Sequence, residues 1–378
     1  MRSCIRPLLP IHLLLLLLPI PPAAADNQPH DPARPTIYGH RGAAGYRPEH
    51  TLGSYTLGAH LGADYIEPDL VSTKDHVLVD RHEPEIGGTT DVADHPEFAD
   101  RRKTRVIDGV TFNGWFTEDF TLAELKTLRA KERLPGIRQH NTLYDGREQI
   151  LTFQEVIDLR DKLSKELRRQ VGLIPELKHS TYFRSIGLPL EEPFVETLRR
   201  NHLDNRGAKL SVQSFEISNL QDLNRMIPNP LVQLYDEPNL KPGDVLAAGG
   251  ATTYAQMATA AGLREVAAYA DVASPSKDYI IPCKADGTLG TPTSFVDDAH
   301  AAGLEVVAYT FRNENEFLPV DLRRGTNAAD YGDAFEEYRR YFATGLDGVF
   351  SDNPDTAVAA RSSAAGAGAA GARPQAGR

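Results

Sequence analysis

Short apolar runs rich in β-branched and aromatic residues recur along the chain at Thr36–His40, Asp64–Leu70, His76–His82, Val171–Leu177, Ala208–Phe215, Leu231–Tyr235, Ala268–Ala273, Leu304–Thr310 and Leu346–Ser351. Between many of them, apolar residues return at helical spacing: Thr51–Leu61, Leu122–Ala130, Thr152–Leu167, Pro193–Asn201, Ser218–Met226 and Phe295–Ala302. Strands alternating with helices predict an α/β fold whose parallel sheet is covered by helices. The nine strand candidates are one too many for a (β/α)8 barrel. The second and third, however, are joined only by Val71-Ser72-Thr73-Lys74-Asp75, whereas a parallel crossover needs about a dozen residues or more. His76–His82 is therefore expected as an antiparallel strand at the barrel mouth. Eight parallel strands remain, and they predict a TIM (β/α)8 barrel over residues 36–356.

Residues 83–150 break this rhythm and read as a subdomain inserted after the hairpin strand that ends at His82. They hold the charged run Asp100–Arg105, the single tryptophan Trp115, and a helix start at Thr121 with Glu124 three residues on. Such an excursion at a barrel mouth suits either a substrate-binding wall or a cap remote from substrate, and the pattern does not choose. The polar, proline-rich lead-in 26–35 and the Ala/Gly/Ser-rich tail 357–378 are both expected to be disordered.

The first 25 residues carry Arg2 and Arg6, an interrupted apolar stretch Leu8–Ile20, and Pro22-Ala23-Ala24-Ala25. That is the pattern of a signal peptide cleaved near Ala25, so the protein is expected to be secreted, either outside the cell or into a periplasm. The stretch is too short to span a bilayer and no later one approaches it, so no stable membrane anchor is expected. Cleavage removes Arg2 and Arg6 and moves the net charge from −11 to −13. A surface that acidic argues against a nucleic-acid partner. Cleavage also removes Cys4 and leaves Cys283 alone, which excludes an internal disulfide. After Ile280-Ile281-Pro282, Cys283 is expected to pack as a small hydrophobe.

Charge concentrates at three strand ends. Gly39-His40-Arg41-Gly42 sets a titratable imidazole beside a guanidinium whose fork suits phosphate, with glycines that let backbone approach it. In Ile66-Glu67-Pro68-Asp69-Leu70, two carboxylates at i and i+2 share one strand face and repel unless a cation lies between them. Hard oxygen ligands of this kind suit Ca²⁺ or Mg²⁺. In Pro175-Glu176-Leu177-Lys178-His179, Glu176 can complete a three-carboxylate site and Lys178 can reach a phosphate oxygen, although for this motif alone a plain Glu–Lys ion pair is the better explanation. His82, closing the hairpin strand, can face the pocket of His40, and two imidazoles flanking a phosphodiester suit acid–base work near neutral pH.

Taken together, His40-Arg41-Gly42, Pro48-Glu49-His50-Thr51, Glu67-x-Asp69, Thr73-Lys74-Asp75, His82, Glu176-x-Lys178, Ser214-Phe215 and Gly345–Asp355 resemble the glycerophosphodiester phosphodiesterase family over about residues 36–356. Thr90–Asp94 and Phe120–Lys126 resemble the insertion of its periplasmic, calcium-using branch. The resemblance implies His40 and His82 as the acid–base pair, Glu67, Asp69 and Glu176 as metal ligands, and Arg41 and Lys178 as phosphate contacts. It implies a divalent cation, with Ca²⁺ favoured and Mg²⁺ the alternative. Two positions depart from the family: Glu83 stands where aspartate is usual, and Tyr309 where many relatives have tryptophan.

The reaction so implied is hydrolysis of a glycerophosphodiester, such as glycerophosphocholine or glycerophosphoethanolamine, to sn-glycerol 3-phosphate and an alcohol. The alternatives are a related phosphodiesterase acting on teichoic acid or lysophospholipid, and a non-catalytic binder of anionic surface ligands. Retention of every candidate acid, base and ligand argues against the binder. The head group, the oligomeric state and the assignment of base and acid are left open by the sequence.

Overall fold

The computed structural model describes residues 34–371; the signal peptide and most of the lead-in expected from the sequence lie outside them. Eight parallel segments close a barrel. The first is β1 (Thr36–Gly39). The second is interrupted by Pro68 into β2 (Tyr65–Ile66) and β3 (Asp69–Ser72), because proline has no N–H to give to a ladder. β4 (Leu78–Asp80) pairs antiparallel with β3, Leu70 opposite Asp80, as the short connection requires. β5 (Lys103–Ile107) and β6 (Val110–Gly114) form a separate hairpin. The third barrel segment is interrupted by Pro175 into β7 (Gly172–Leu173) and β8 (Glu176–Leu177). Then follow β9 (Val212–Ser214), β10 (Leu231–Tyr235), β11 (Val272–Pro275), β12 (Glu305–Phe311) and β13 (Gly348–Ser351). β13 pairs with β1 and closes the ring.

The barrel strands are buried on both faces, which is why they read as continuous apolar runs. One face turns into the barrel, where Tyr38, Ile174, Val232, Val272, Val307 and Phe350 pack together and Tyr38 stacks on Phe350 at 4.8 Å. The other face packs on the helices, including Leu52–His60 and Phe153–Leu167, both capped by threonine as their N-terminal sequences require. Gly172 is required by close approach: a Cβ there would lie 2.3 Å from the Tyr65 ring.

Several expectations need correction. The helix expected over Leu122–Ala130 ends at Leu125, since Ala130 is drawn away to bridge Thr90 in the insertion. The strand expected at Ala268–Ala273 begins at Val272; the residues before it form the turn that leaves helix Ala260–Val266. The tail expected to be disordered from residue 357 is entered by a helix, Pro354–Gly371. Alanine supplies its propensity, Ala357 and Ala360 bury against the body, and Arg361 anchors it on Asp64 at 2.6 Å and on the Pro35 carbonyl at 2.9 Å. Cys283 is exposed; Ile280 and Ile281 before it take the buried places. No helix among the described residues is long and apolar enough to cross a membrane.

Candidate active site

The chemistry-bearing motifs emerge at the C-terminal ends of the barrel strands, except that of His82, which follows the antiparallel β4. The parallel register makes Asp69 of β3, Glu176 of β8 and Gln213 of β9 successive neighbours across the sheet. Glu67, one residue before the Pro68 break, turns to the same point, and ligand oxygens of Glu67, Asp69 and Glu176 lie within 4.8 Å of one another. All three are at least 96% buried, at 4%, 1% and 4% exposure. Glu67 Oε1 accepts from Gln213 Nε2 at 2.6 Å and its Oε2 from the Arg41 amide at 3.0 Å. Lys178 Nζ pairs with Glu176 Oε1 at 2.8 Å.

Three carboxylates this close are under electrostatic pressure. Glu67 is pushed up to about 8, by burial first and then by Asp69 and Glu176. Burial also raises Glu176, to about 7, against the pull of Lys178. Asp69 goes the other way: burial would raise it, but Lys178 and His50 together hold it below the ordinary carboxylate range. Buried His50 donates to Asp69 Oδ2 at 2.9 Å, while Asp69 Oδ1 is buried with no hydrogen-bond partner. An orphaned carboxylate oxygen among three converging acids is the donor set that a hard divalent cation completes.

The two imidazoles flank this cluster. His40 follows β1, and its Nδ1 lies 2.5 Å from Asp352 Oδ1, so the ring presents Nε2 to the cavity, 3.9 Å from Glu67. His82 follows the hairpin strand, and its Nδ1 lies 2.5 Å from Glu83 Oε1. In each case the carboxylate at Nδ1 favours the tautomer whose Nε2 is a bare acceptor. His40 is lowered to about 4, by burial above all and further by Arg41, against Asp352. His82 is lowered to about 3, by burial and then by Arg41 and Lys178. Both rings are neutral at neutral pH and able to take a proton.

His40, Arg41, Glu67, Asp69, His82, Glu176 and Lys178, the seven residues singled out from the sequence, line one cavity of about 130 Å³. Around them stand groups given no role in the sequence reading. Arg138 and Arg312 hold Asp352 Oδ2 at 2.6 and 2.8 Å. Arg133 joins Glu83 to Glu49, and Glu49 in turn accepts from Arg41 at 2.8 Å. Glu49, His50 and Asp352 lie inside the motifs quoted above. Arg133, Arg138 and Gln213 carry no local signal, because only the tertiary fold brings them here.

The insertion reaches the site. The Asp108-Gly109 turn of the β5–β6 hairpin leans over the mouth, where Asp108 meets His179 Nδ1 at 2.6 Å. Its residues Ile107, Val110 and Phe112 join His82, Lys178 and Tyr309 around a groove of about 640 Å³ that opens from the catalytic cavity. The insertion thus stands beside the cavity rather than remote from it.

A model of the glycerophosphoryl diester phosphodiesterase family matches residues 40–356. The glycerophosphodiester phosphodiesterase GDPD6 of Arabidopsis thaliana is 36% identical over 371 residues, covering 91% of this chain and 94% of that protein. A glycerophosphodiester phosphodiesterase of Haemophilus influenzae is 28% identical, covering 85% and 88%. Among solved structures, a phosphodiesterase of Oleispira antarctica in complex with the product sn-glycerol-3-phosphate superposes with a TM-score of 0.56 at 20% identity, over 86% of this chain and 96% of that one. At that identity the likeness speaks for the barrel alone. The sequence motifs, the barrel and the family match agree: this chain is an enzyme belonging to the glycerophosphoryl diester phosphodiesterase family.

Proposed function

We propose that the protein hydrolyses glycerophosphodiesters such as glycerophosphocholine and glycerophosphoethanolamine to sn-glycerol 3-phosphate and the free alcohol, by two-histidine acid–base catalysis at a divalent-cation site. The observation that carries this reading is the meeting of His40 and His82 with three buried carboxylates, Arg41 and Lys178 in a single cavity. Glu67, Asp69 and Glu176 would hold the cation, which when bound supplies charge neutralisation at the phosphoryl group. Ca²⁺ is favoured through the resemblance of the insertion, with Mg²⁺ the alternative.

Arg41 and Lys178 orient the phosphodiester through its non-bridging oxygens. One histidine takes a proton at Nε2 from the attacking hydroxyl, either water or the neighbouring glycerol hydroxyl; in the second case a cyclic phosphate forms, and water then opens it with the two histidines' proton roles reversed. The other delivers a proton to the departing alkoxide. The substrate's anionic phosphate offsets Arg41, which depresses both rings, and Lys178, which depresses His82, and so favours protonation of whichever ring is the acid. Asp352 and Glu83 hold the rings and favour their imidazolium forms. Replacing His40 or His82 by alanine is expected to lower kcat by about 10²–10⁴-fold. Turnover close to wild type in either variant contradicts the mechanism.

The groove beyond His82 supports the alcohol side. Its acids Asp108 and Asp236 lie with Phe112, Phe215 and Tyr254, a lining suited to a cationic amino alcohol. Its size and apolar rim also favour a second reading, a larger lysophospholipid. Comparing choline release from glycerophosphocholine and from lysophosphatidylcholine decides between the two. The leader over residues 1–25 supports secretion, which cell fractionation tests.

A further inference from the structure

We infer that Arg133, from the inserted segment, is a positioning residue that sets the orientation of His82 through Glu83; this rests on the two-histidine reading above. Its guanidinium lies between two carboxylates and engages both bidentately. It donates to Glu49 from Nε and Nη2 at 2.8 and 2.6 Å, and to Glu83 from Nη1 and Nη2 at 2.9 and 2.6 Å. Glu83 holds His82 Nδ1, and Glu49 holds Arg41 Nη1. One continuous chain of charge-assisted hydrogen bonds therefore runs from a phosphate-binding arginine, through the insertion, to a catalytic imidazole.

The two histidines are not supported equally. Asp352, behind His40, is held by Arg138 and Arg312 together. Among the contacts of Glu83, Arg133 is the cation that fixes the carboxylate and His82 is the group it serves. His82 is also the less enclosed ring, with 28% of its side chain exposed against 10% for His40, so packing constrains it less. A glutamate brings one more rotatable bond than an aspartate to the same task. A bidentate guanidinium removes that freedom, because its planar fork fixes both carboxylate oxygens where a lysine fixes one. The longer acid at position 83 and the arginine at 133 form a matched pair.

The test compares full-length wild type, Arg133→Met, Arg133→Lys, Arg133→Ala, His82→Ala and the double variant Arg133→Met/His82→Ala, reading kcat on glycerophosphocholine and folding by far-UV circular dichroism. Arg133→Met is expected to lower kcat by about 10- to 100-fold, the effect of losing hydrogen bonds to a charged group, and Arg133→Lys by less. In the His82→Ala background most of that loss is expected to vanish, since the ring it positions is gone and only the weaker support of Arg41 through Glu49 remains. Millimolar guanidinium is expected to restore part of the turnover of Arg133→Ala and none of that of His82→Ala. Should Arg133→Met fail to fold, Arg133→Lys and the guanidinium rescue carry the test. Wild-type kcat in Arg133→Met, or an equal loss with and without His82, overturns the inference while leaving the mechanism intact. Wild-type kcat in His82→Ala overturns the mechanism itself.

Discussion

Replacing Asp352 by asparagine removes one charge and leaves the volume unchanged. Asp352 is 1% exposed and accepts from three sides: His40 Nδ1 at 2.5 Å, Arg138 at 2.6 Å and Arg312 at 2.8 Å. All three neighbours are donors, whereas an amide offers one acceptor atom. With its NH₂ towards two guanidiniums the amide meets only donors, so it turns its oxygen to the arginines and its nitrogen to His40. Nδ1 must then be unprotonated, the proton moves to Nε2, and the atom facing the cavity can no longer accept. If the tautomer held, losing one charge-assisted bond would cost about 1.5–3 kcal/mol, or roughly 10- to 150-fold. A reversed tautomer takes the loss towards about 10⁴-fold.

The expected result is a fall in kcat of at least about 10³-fold, with KM changed far less because Asp352 touches neither Arg41 nor Lys178. Two guanidiniums left short of a counter-charge also cost stability, about 3 kcal/mol for a broken buried pair, so Tm falls by several degrees. Release of sn-glycerol 3-phosphate, followed at a temperature where circular dichroism reports a folded variant, is the assay. A folded Asp352→Asn enzyme within about threefold of wild type refutes the tautomer argument, because even the smaller effect exceeds that.

Other expectations follow from single groups. Gly42 has φ +93°, and a Cβ there would lie 2.5 Å from the Ser54 carbonyl carbon, so Gly42→Ala is expected to destabilise the His40-Arg41 turn by about 2–4 kcal/mol, read as a lower denaturant midpoint. Glu216 is raised to about 8, by burial first and then by Asp108 and Asp244, against its contacts with Thr181. A carboxyl whose folded value lies above its unfolded one stabilises the fold below about pH 4.3, and that stability drains away as pH rises towards 8. Glu216→Gln is therefore expected to flatten the fall of Tm between about pH 5 and pH 8; parallel curves for the two proteins would contradict this. Asp108→Ala breaks the contact with His179 that ties the hairpin across the mouth, and is expected to raise KM for glycerophosphocholine by about 3- to 10-fold with kcat little changed, as steady-state kinetics would read.

The barrel could be counted from the sequence because its strands are buried on both faces, as in Leu231–Tyr235, which forms as expected. The hairpin was legible because five residues, Val71–Asp75, cannot carry a parallel crossover, although Val71 and Ser72 belong to β3 and the turn itself is Thr73–Val77. All seven candidate residues meet because each lies at a strand end, where topology alone fixes its neighbours. The insertion was harder to read. Its Asp108-Gly109 turn is a strong hairpin signal, with φ +48° and +82°, but the flanking Lys103–Ile107 is mostly exposed and lacks the apolar run that marks a strand. Arg133 and Arg138 were invisible for a different reason: their partners lie 50 to 214 residues away, beyond any local pattern. The start of the tail, up to Gly371, was misread because its glycines outweighed its alanines, while the docking of Ala357, Ala360 and Arg361 on the barrel is a tertiary effect.

The measurement that bears most directly on the central claim is ³¹P NMR of glycerophosphocholine incubated with the full-length protein, before and after exhaustive chelation and with each cation added back. The account predicts conversion to sn-glycerol 3-phosphate, its loss on chelation, and its return with Ca²⁺ ahead of Mg²⁺. Phosphocholine as the product, or a turnover that chelation leaves untouched, would contradict it.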